Sequence, residues 1–385
     1  MTTSTATYAL SEEQELFRKS VREFAEDRIA PRAAEIDESD EFPWDIHAGL
    51  VEQGFMGVGF KEEWGGSGGG PLDVCILAEE ISRVSAGVAL IQLVNRLGAL
   101  PILIAGTDEQ KSAASEGISS GKHQYSYCLT EPGSGSDAAA MKSVAKRDGD
   151  GWRITGTKRF ITNAGISDRY LYFAVTDPDG TKGRNITAFL IPSDAEGFSI
   201  GKAEKKMGIK GSPTCEVICD DVRVSDEAVV GEVHQGFQVA MRTLDYSRPT
   251  IAAQALGIAQ GALDAAVEYT KQREQFGQSI SRFEGVQFML ADMAMSTEAS
   301  RLLTYRSAVM AAEGHPDVGY HAAIAKAFAS DTAMKVTTDA VQLFGGYGYV
   351  KEFPVERMMR DAKITQIYEG TNQIQRVVIG RRLLK

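Results

Sequence analysis

The sequence predicts an α+β fold in which an all-β region separates two helical regions. Helical periodicity extends from Ser11 to about Lys122, and short apolar runs with turn residues between them follow. Helical periodicity returns beyond Gly236. Because 385 residues are enough for two or three domains, we expect one domain for each region. The expected bounds are an N-terminal helical domain over 1–122, a middle β domain over 123–233 and a C-terminal helical domain over 234–385.

The N-terminal region carries signals of helix starts and interruptions. Ser11 can cap a first helix, because its hydroxyl can accept a bond from a free N–H of the first turn. Glu12 and Glu13 follow, where the helix dipole favours negative charge. Pro31 and Pro43 interrupt the pattern, since proline lacks the N–H that a helix interior needs.

The middle region reads as a series of strands. Tyr170–Val175 is a short apolar run rich in aromatic residues, and Ile186–Ile191 is similar. Between them, Asp177–Gly180 is a strong turn signal. Cys215–Cys219 and Val222–Val224 are two further strand candidates. These runs together predict a compact all-β domain.

The C-terminal region is predicted to be helical. An alanine-rich helix covers Ala252–Gln275 and stops at Gly277. A second helix runs towards Ala312, with a methionine and leucine stripe that we interpret as core rather than as a cofactor site. Two further helices are expected over His321–Leu343 and Glu356–Lys363.

Charge and targeting signals limit the partners and the compartment. The net charge of −11 argues against nucleic acid or an anionic membrane as the main partner. Met1–Thr7 lacks the basic and apolar blocks of a signal peptide. We find no apolar run that approaches the roughly 20 residues needed to cross a bilayer. A cytoplasmic protein without a membrane partner is therefore expected.

The cysteines and histidines do not suggest a metal site. Cys215 and Cys219 lie within an apolar alternation, which favours buried strand thiols over metal ligands. The chain has five histidines, and their spacing does not match that of metal ligands. We therefore expect no metal.

One short polar segment, Tyr368–Gln373, is a candidate for the chemistry. It places the carboxylate of Glu369 between an aromatic residue and Gly370. Glycine allows the backbone to approach a ligand closely, because it has no Cβ. A carboxylate shielded from water has a raised proton affinity and can act as a base near neutral pH. The alternative interpretation is a helix end followed by a turn.

Three motifs together resemble the acyl-CoA dehydrogenase family. Thr130–Asp137 (TEPGSGSD), Phe344–Tyr349 (FGGYGY) and Tyr368–Thr371 (YEGT) occur in this order and at the separations that the family has. The resemblance extends from about Ser11 to Arg382. It implies an N-terminal α-helical domain, a middle β-barrel domain and a C-terminal four-helix bundle.

The resemblance also implies an activity. It is the FAD-dependent α,β-dehydrogenation of an acyl-CoA thioester to the 2,3-enoyl-CoA, with electrons passed to electron-transferring flavoprotein. Because no side chain accepts a hydride, a cofactor is needed. A Gly-x-Gly-x-x-Gly fingerprint is not evident, which disfavours a nicotinamide enzyme of the Rossmann type.

Within the family, Glu369 matches the base that takes the α-proton. Its N–H would polarise the thioester carbonyl together with a ribityl hydroxyl of the flavin. Some members carry their base on another helix, at the position of Ser247. Serine cannot act there without a partner, so Glu369 is the better candidate.

Further residues match the family's cofactor contacts. A loop against the flavin corresponds to Tyr127, Leu129, Thr130, Gly135 and Ser136. Phe160 and Thr162 match a second segment that contacts the flavin. Many relatives have tryptophan in place of Phe160. Phenylalanine keeps an aromatic face that can stack on the flavin but lacks the indole N–H, so the stacking role survives better than any polar role. Contacts to the flavin of a neighbouring subunit correspond to Arg273, Gln275, Phe276, Gln342, Gly345 and Gly346, and further cofactor contacts to Thr371 and Gln373. The resemblance therefore implies a homotetramer.

The substrate contacts implied by the resemblance are Ser136, Leu244, Asp245, Arg248, Tyr368 and Gly370. Arg248 precedes Pro249 at an expected helix start and is equally compatible with a structural role. Leu93, Val94 and Leu97 are candidates for the acyl pocket.

The acyl carrier is coenzyme A or an acyl carrier protein. The alternatives are a flavin oxidase or monooxygenase of the same fold and a non-catalytic acyl-CoA-binding homologue.

Overall fold

The computed structural model describes residues 10–385. The segment Met1–Thr7, for which we expect no signal peptide, lies outside this range. Within it, helices occupy the first and last parts of the chain and strands the middle. The predicted order of helical, β and helical domains is therefore confirmed.

The N-terminal domain is built from helices around one apolar core. Its helices are α1 (Glu12–Phe24), α2 (Ala33–Ser39), α3 (Trp44–Glu52), α4 (Pro71–Ser82), α5 (Ala86–Ala105) and α6 (Asp108–Ser119). Ser11 caps α1 as predicted: its Oγ accepts from the Gln14 N–H at 3.2 Å, and its own N–H donates to Gln14 Oε1 at 3.2 Å. Pro31 lies in a 3₁₀ turn between α1 and α2.

Helix α5 corrects the expectation about apolar runs. It is 20 residues long and contains an 18-residue apolar window with a mean hydropathy of 1.8, so by length and composition alone it could cross a membrane. However, 72% of that apolar window is buried inside the fold. Leu90, Ile91 and Ile102, for example, are almost completely buried. Such burial is typical of the core helix of a globular domain, and it explains why the run is so apolar.

The middle domain contains eight strands among the described residues. They are β1 (Tyr125–Cys128), β2 (Val144–Asp148), β3 (Gly151–Thr162), β4 (Arg169–Val175), β5 (Ile186–Pro192), β6 (Phe198–Ile200), β7 (Thr214–Ser225) and β8 (Val229–Val230). The strands predicted at Tyr170–Val175 and Ile186–Ile191 are confirmed. The two candidates around Cys219 and Val222 are instead one strand, since the chain continues through Asp221 in a left-handed conformation (φ 58°) at a register shift.

These strands form one sheet in the order β6-β7-β3-β2-β4-β5-β8, with β1 parallel to β4. Tyr172, Phe189 and Val217 are fully buried in its own core. Within residues 10–385 no ladder joins β6 to β8, so the predicted barrel is open along that edge. Strand β1 packs against α5, and Asn163, directly after β3, donates to the Leu90 carbonyl of α5 at 3.4 Å. The segments after β1 and β3 therefore lie at the domain junction.

The C-terminal domain is a helical bundle. It contains α7 (Gly236–Gln272), α8 (Glu284–Ala312), α9 (Val318–Phe344), α10 (Val355–Thr365) and α11 (Asn372–Leu383), with a small hairpin of β9 (Glu274–Gln275) and β10 (Gln278–Ser279). Helices α7, α8 and α9 pack against one another, and α10 and α11 pack against α9. The methionine and leucine stripe of α8 contacts the core as predicted, with Met293 fully buried.

Helix α7 differs from its prediction. It begins at Gly236 rather than at Ala252 and ends at Gln272, before Gln275. Pro249 therefore lies inside the helix, and the prediction that Arg248 stands at a helix start is wrong. Pro249 and its neighbours are buried, so packing of the long helix outweighs the hydrogen bond that proline removes.

Candidate active site

A cavity of about 520 Å³ lies where α5, the sheet and the C-terminal helices meet. Apolar residues of α5 and α7 form one side, and polar residues after β1, at the end of β3 and before α11 form the other. Most of the predicted site residues line it. They are Leu93, Val94, Leu97, Tyr127, Leu129, Thr130, Gly135, Ser136, Phe160, Thr162, Leu244, Arg248, Tyr368, Glu369 and Gly370.

The other predicted residues lie elsewhere. A separate groove of about 760 Å³ is lined by Arg273, Gln275, Gln342, Gly345 and Gly346. A third cavity, of about 330 Å³, is lined by Thr371 and Gln373. The Phe276 side chain is 93% exposed and lines none of these cavities. Asp245 does not line the main cavity. Its Oδ1 accepts a hydrogen bond at 2.8 Å from Nη1 of Arg248, which does line it.

Glu369 occupies a tight turn between α10 and α11. Its backbone is left-handed (φ 55°), as is that of Gly370 (φ 85°), and such a conformation is unfavourable for a residue with a Cβ. Thr371 caps α11 by accepting from the Ile374 N–H at 3.3 Å. Gln375 Nε2 donates to the carbonyl oxygens of Glu369 at 3.2 Å and Gly370 at 2.8 Å. The surrounding contacts therefore hold the strained turn in place.

The Glu369 N–H has no acceptor among residues 10–385. A backbone donor left free beside a cavity is available to a ligand. The left-handed turn thus presents both a carboxylate and an unused N–H from one residue.

The Glu369 carboxylate is held in an environment that raises its pKa. Burial has the largest effect, because it disfavours the charged form. Three neighbours oppose this effect: Ser247 Oγ donates to Glu369 Oε2, and the positive charges of Arg248 and Lys326 favour ionisation. The result is a carboxyl group with a higher proton affinity than in water and one fixed hydrogen bond, as a general base requires.

Two other polar groups at the cavity lack partners. The Tyr127 hydroxyl and the Arg248 Nε are buried without a hydrogen bond among the described residues. Burial also raises the pKa of Tyr127 well above its ordinary value, so the hydroxyl stays protonated. Since buried polar groups are nearly always paired, unpaired ones beside a cavity indicate a ligand.

The loop after β1 is fixed by a buried ion pair that sequence reasoning missed. Lys158 Nζ donates to Glu131 Oε1 at 2.8 Å, and both side chains are buried. Glu131 also accepts from the N–H groups of Lys142 at 2.6 Å and Ser143 at 2.9 Å. The loop that carries Gly135 is thereby anchored at its base.

Comparison with known families identifies the chain. The N-terminal, middle and C-terminal domain models of acyl-CoA dehydrogenase match residues 11–122, 126–222 and 234–384. The chain belongs to the acyl-CoA dehydrogenase family. It is therefore an oxidoreductase acting on CH–CH bonds, and the resemblance carried by the three motifs is confirmed.

Individual relatives match nearly the full length. The probable acyl-CoA dehydrogenase fadE25 of Mycobacterium leprae is 53% identical over 98% of this chain and 97% of its own. The butyryl-CoA dehydrogenase of Megasphaera elsdenii is 44% identical, with a TM-score of 0.95 over 98% of this chain and 99% of its own. A chain in the structure of the electron transferring flavoprotein of Acidaminococcus fermentans is 46% identical, with a TM-score of 0.96 over 98% and 99%.

Members of the acyl-CoA dehydrogenase family are FAD flavoproteins, and the main cavity fits such a group. The unpaired Tyr127 hydroxyl can bond a polar ring edge. Phe160 is 58% exposed in a left-handed conformation (φ 58°), so a flat aromatic surface lines the cavity. No described atom lies within 4 Å of where a Cβ on Gly135 would stand, so the loop faces open space.

Sequence reasoning also missed Lys326 on α9. Its side chain is completely buried, and its Nζ donates to the Gly370 carbonyl at 2.8 Å and to Asn372 Oδ1 at 2.9 Å. The contact joins residues 44 positions apart, so spacing alone does not reveal it. The one sequence signal is a lysine within an alanine-rich helical stretch.

Proposed function

We propose that this acyl-CoA dehydrogenase removes the α and β hydrogens of an acyl-CoA thioester to give the 2,3-enoyl-CoA. The observation that carries the proposal is the Glu369 carboxylate, which lines a largely apolar cavity and has a raised pKa. The two carboxylate oxygens differ, since Ser247 bonds Oε2 and leaves Oε1 for a substrate proton. Glu369 is thus the proposed base for the α-proton.

The same residue is proposed to stabilise the charge that develops during proton removal. As the α-proton leaves, negative charge grows on the thioester oxygen. The unused N–H of Glu369 is a donor for that oxygen, and a fixed donor in a site without water lowers the barrier. Arg248, with an unpaired Nε at the cavity, adds a positive charge.

FAD, when bound, supplies the acceptor for the β-hydride. The proposed contacts are the unpaired Tyr127 hydroxyl, the loop through Thr130 and Gly135, and the exposed ring of Phe160. These residues and Glu369 line the same cavity, and this supports the proposed FAD contacts.

A homotetramer is proposed because some of the residues predicted to contact the cofactor lie apart from the main cavity. In the groove with Gln275, the Arg273 guanidinium lies 5.4 Å from the centre of the Tyr347 ring and has no ion pair with a carboxylate among residues 10–385. Such a charge suits a diphosphate. Phe276 and Tyr349 are 93% and 86% exposed on the same domain, as expected for side chains covered by a second copy.

The proposed substrate is a short acyl chain on coenzyme A, and the proposed electron acceptor is electron-transferring flavoprotein. The similarity to a butyryl-CoA dehydrogenase supports the first, and the similarity to a chain in the electron transferring flavoprotein structure supports the second. An acyl carrier protein is the alternative carrier. The proposed location is the cytoplasm.

The proposal is tested by anaerobic mixing of the purified flavoprotein with straight, branched and aromatic acyl-CoAs. We expect the flavin absorbance to bleach, fastest with a four-carbon chain. The absence of bleaching with every acyl-CoA would contradict dehydrogenation. Reoxidation of the reduced enzyme separates the rivals: rapid reaction with oxygen indicates an oxidase, and rapid reaction with electron-transferring flavoprotein a dehydrogenase. A colourless protein that binds no FAD would favour the non-catalytic homologue.

A further inference from the structure

A buried lysine lies directly beneath the turn that carries Glu369. Lys326 extends from α9, and none of its side-chain surface is exposed. Its Nζ donates to the Gly370 carbonyl at 2.8 Å and to Asn372 Oδ1 at 2.9 Å. These acceptors flank Thr371, so one ammonium group ties the end of the turn to the start of α11.

The acceptors of Lys326 are themselves fixed. Gln375 Nε2 donates to the same Gly370 carbonyl at 2.8 Å. Asn372 Nδ2 donates to Ser330 Oγ at 2.9 Å and to Asp331 Oδ1 at 2.7 Å. The ammonium therefore belongs to a network that leaves the turn little freedom to change its φ angles.

Lys326 is unusual because its charge has no directly bonded carboxylate among the described residues. Burying an unpaired ammonium is costly, and a position selected for stability alone would favour an apolar residue. The charged groups that act on it are Glu369 from the turn, Arg248 from α7 and Asp331 from its own helix. Burial lowers the pKa of Lys326 to about 7, while Glu369 opposes the decrease.

We infer that Lys326 is a positioning residue for the proposed base: its hydrogen bonds fix the turn, and its positive charge keeps the Glu369 carboxylate ionised. The inference rests on the proposed function. Lys326 does not line the main cavity, so it acts through Glu369 rather than on a substrate. The charged form of Lys326 opposes the effect of burial and favours the ionised, proton-accepting form of Glu369.

Two substitutions separate the hydrogen bond from the charge. Lys326→Met removes both, and Lys326→Gln keeps a donor for the Gly370 carbonyl without the charge. Lys335→Met is the matched control, since Lys335 lies on the same helix but is exposed and pairs with Asp339. The Glu369 carboxyl is followed directly by infrared titration of the C=O band, with Glu369→Gln subtracted, and the flavin reduction rate is measured over the same pH range.

We expect the midpoint of the infrared titration of Glu369 to rise by roughly one pH unit in both Lys326 variants. It should stay unchanged in Lys335→Met. At high pH, where Glu369 is ionised in every variant, flavin reduction should still fall at least tenfold in Lys326→Met, and less in Lys326→Gln, because the turn loses hydrogen bonds that position the base. FAD content should be retained. An unchanged midpoint in folded variants would overturn the inference. Loss of the native fold in both variants would reduce Lys326 to a structural residue and would also overturn it.

The infrared midpoint does not depend on turnover. If the wild-type enzyme failed to bleach with acyl-CoA while the midpoint still rose in the variants, the proposed function would fail and the coupling of Lys326 to Glu369 would stand. If bleaching occurred but the midpoint did not move, only the role of Lys326 would fail.

Discussion

Ser247 on α7 donates a hydrogen bond to the carboxylate of Glu369, which lies 122 positions further along the chain. Both residues line a small cavity of about 20 Å³ beside α5, and of the two only Glu369 also lines the main cavity. The family resemblance implies a base at the position of Ser247 in some members and at that of Glu369 in others. The contact brings the two side chains together, and we therefore expect that a carboxylate at either position could act on the same part of a substrate.

The first prediction concerns the base itself. Glu369→Gln should reduce the rate of flavin bleaching by about a hundredfold or more, since general base catalysis contributes roughly that much. The amide keeps the size of the side chain, so the variant should stay folded and bind FAD and acyl-CoA. Anaerobic stopped-flow absorbance checks this. Bleaching at the wild-type rate would assign the base to another residue.

The second prediction concerns the hydrogen bond from Ser247. This bond favours the ionised carboxylate and lowers the pKa of Glu369, so Ser247→Ala should raise that pKa. Fewer molecules then carry a free base at low pH. The acid limb of the pH–rate profile should move to higher pH, while the rate at alkaline pH changes little. Ser296→Ala, which removes an exposed hydroxyl bonded only within α8, is the control.

Most of the residues that line the main cavity could be predicted from the sequence, because their signals are local. Glu369 stands beside a glycine in a motif, and the residues from Tyr127 to Ser136 belong to one loop. The contacts of Lys326 and Glu131 were not predicted. A buried charge is recognised by the residues around it, and these come from distant parts of the chain. The domain bounds and the role of each site residue stay predictions.

Helix and strand ends were harder to predict than their existence. Pro249 indicated a helix start, yet packing carries α7 through it. The polar pair Asp220–Asp221 divided β7 into two candidates, although a left-handed residue lets the strand continue. In both cases tertiary contacts outweigh a local preference, and a single sequence does not display such contacts.

The third prediction exchanges the two base positions. Glu369→Gly alone should be nearly inactive, and adding Ser247→Glu should restore part of the activity, since the contact between the two side chains places a new carboxylate near the lost one. The recovered rate should remain about tenfold or more below that of the wild type, because misplaced groups react more slowly. Flavin bleaching by the single and double variants checks this, and equal rates in both would contradict it.

The fourth prediction tests the proposed contact between subunits. Arg273→Met should weaken FAD binding by about tenfold or more, because a charge-assisted bond to a phosphate is lost. Lys271→Met, an exposed cation two positions away, should leave binding unchanged. Flavin content after gel filtration and calorimetric titration with FAD give the comparison. Light scattering on the same samples reports whether a tetramer is present, and a monomeric holoenzyme would contradict the shared site.

The last prediction concerns the buried pair of Glu131 and Lys158. Removing one partner leaves a buried charge unpaired, so Glu131→Gln should lower the free energy of unfolding by about 3 kcal/mol. Adding Lys158→Met to Glu131→Gln should recover much of this loss, because it removes the unpaired ammonium and keeps an acceptor for the Lys142 and Ser143 N–H groups. Glu63→Gln, in an exposed pair with Lys61, should cost less than about 1 kcal/mol. Urea unfolding provides the measurement.

The pH dependence gives that prediction a second, independent test. The charge of Lys158 and hydrogen bonds to the carboxylate hold the pKa of Glu131 below its ordinary value, although burial opposes them. A carboxyl group with a lowered pKa in the folded state stabilises the fold above its unfolded pKa of about 4.3, and this stability is lost as the pH falls through the folded pKa. Wild-type stability should therefore decrease on acidification below about pH 5, and Glu131→Gln should show a shallower decrease. Parallel curves would mean that the pair contributes no proton-linked stability and that the loop before Gly135 is held by its backbone alone.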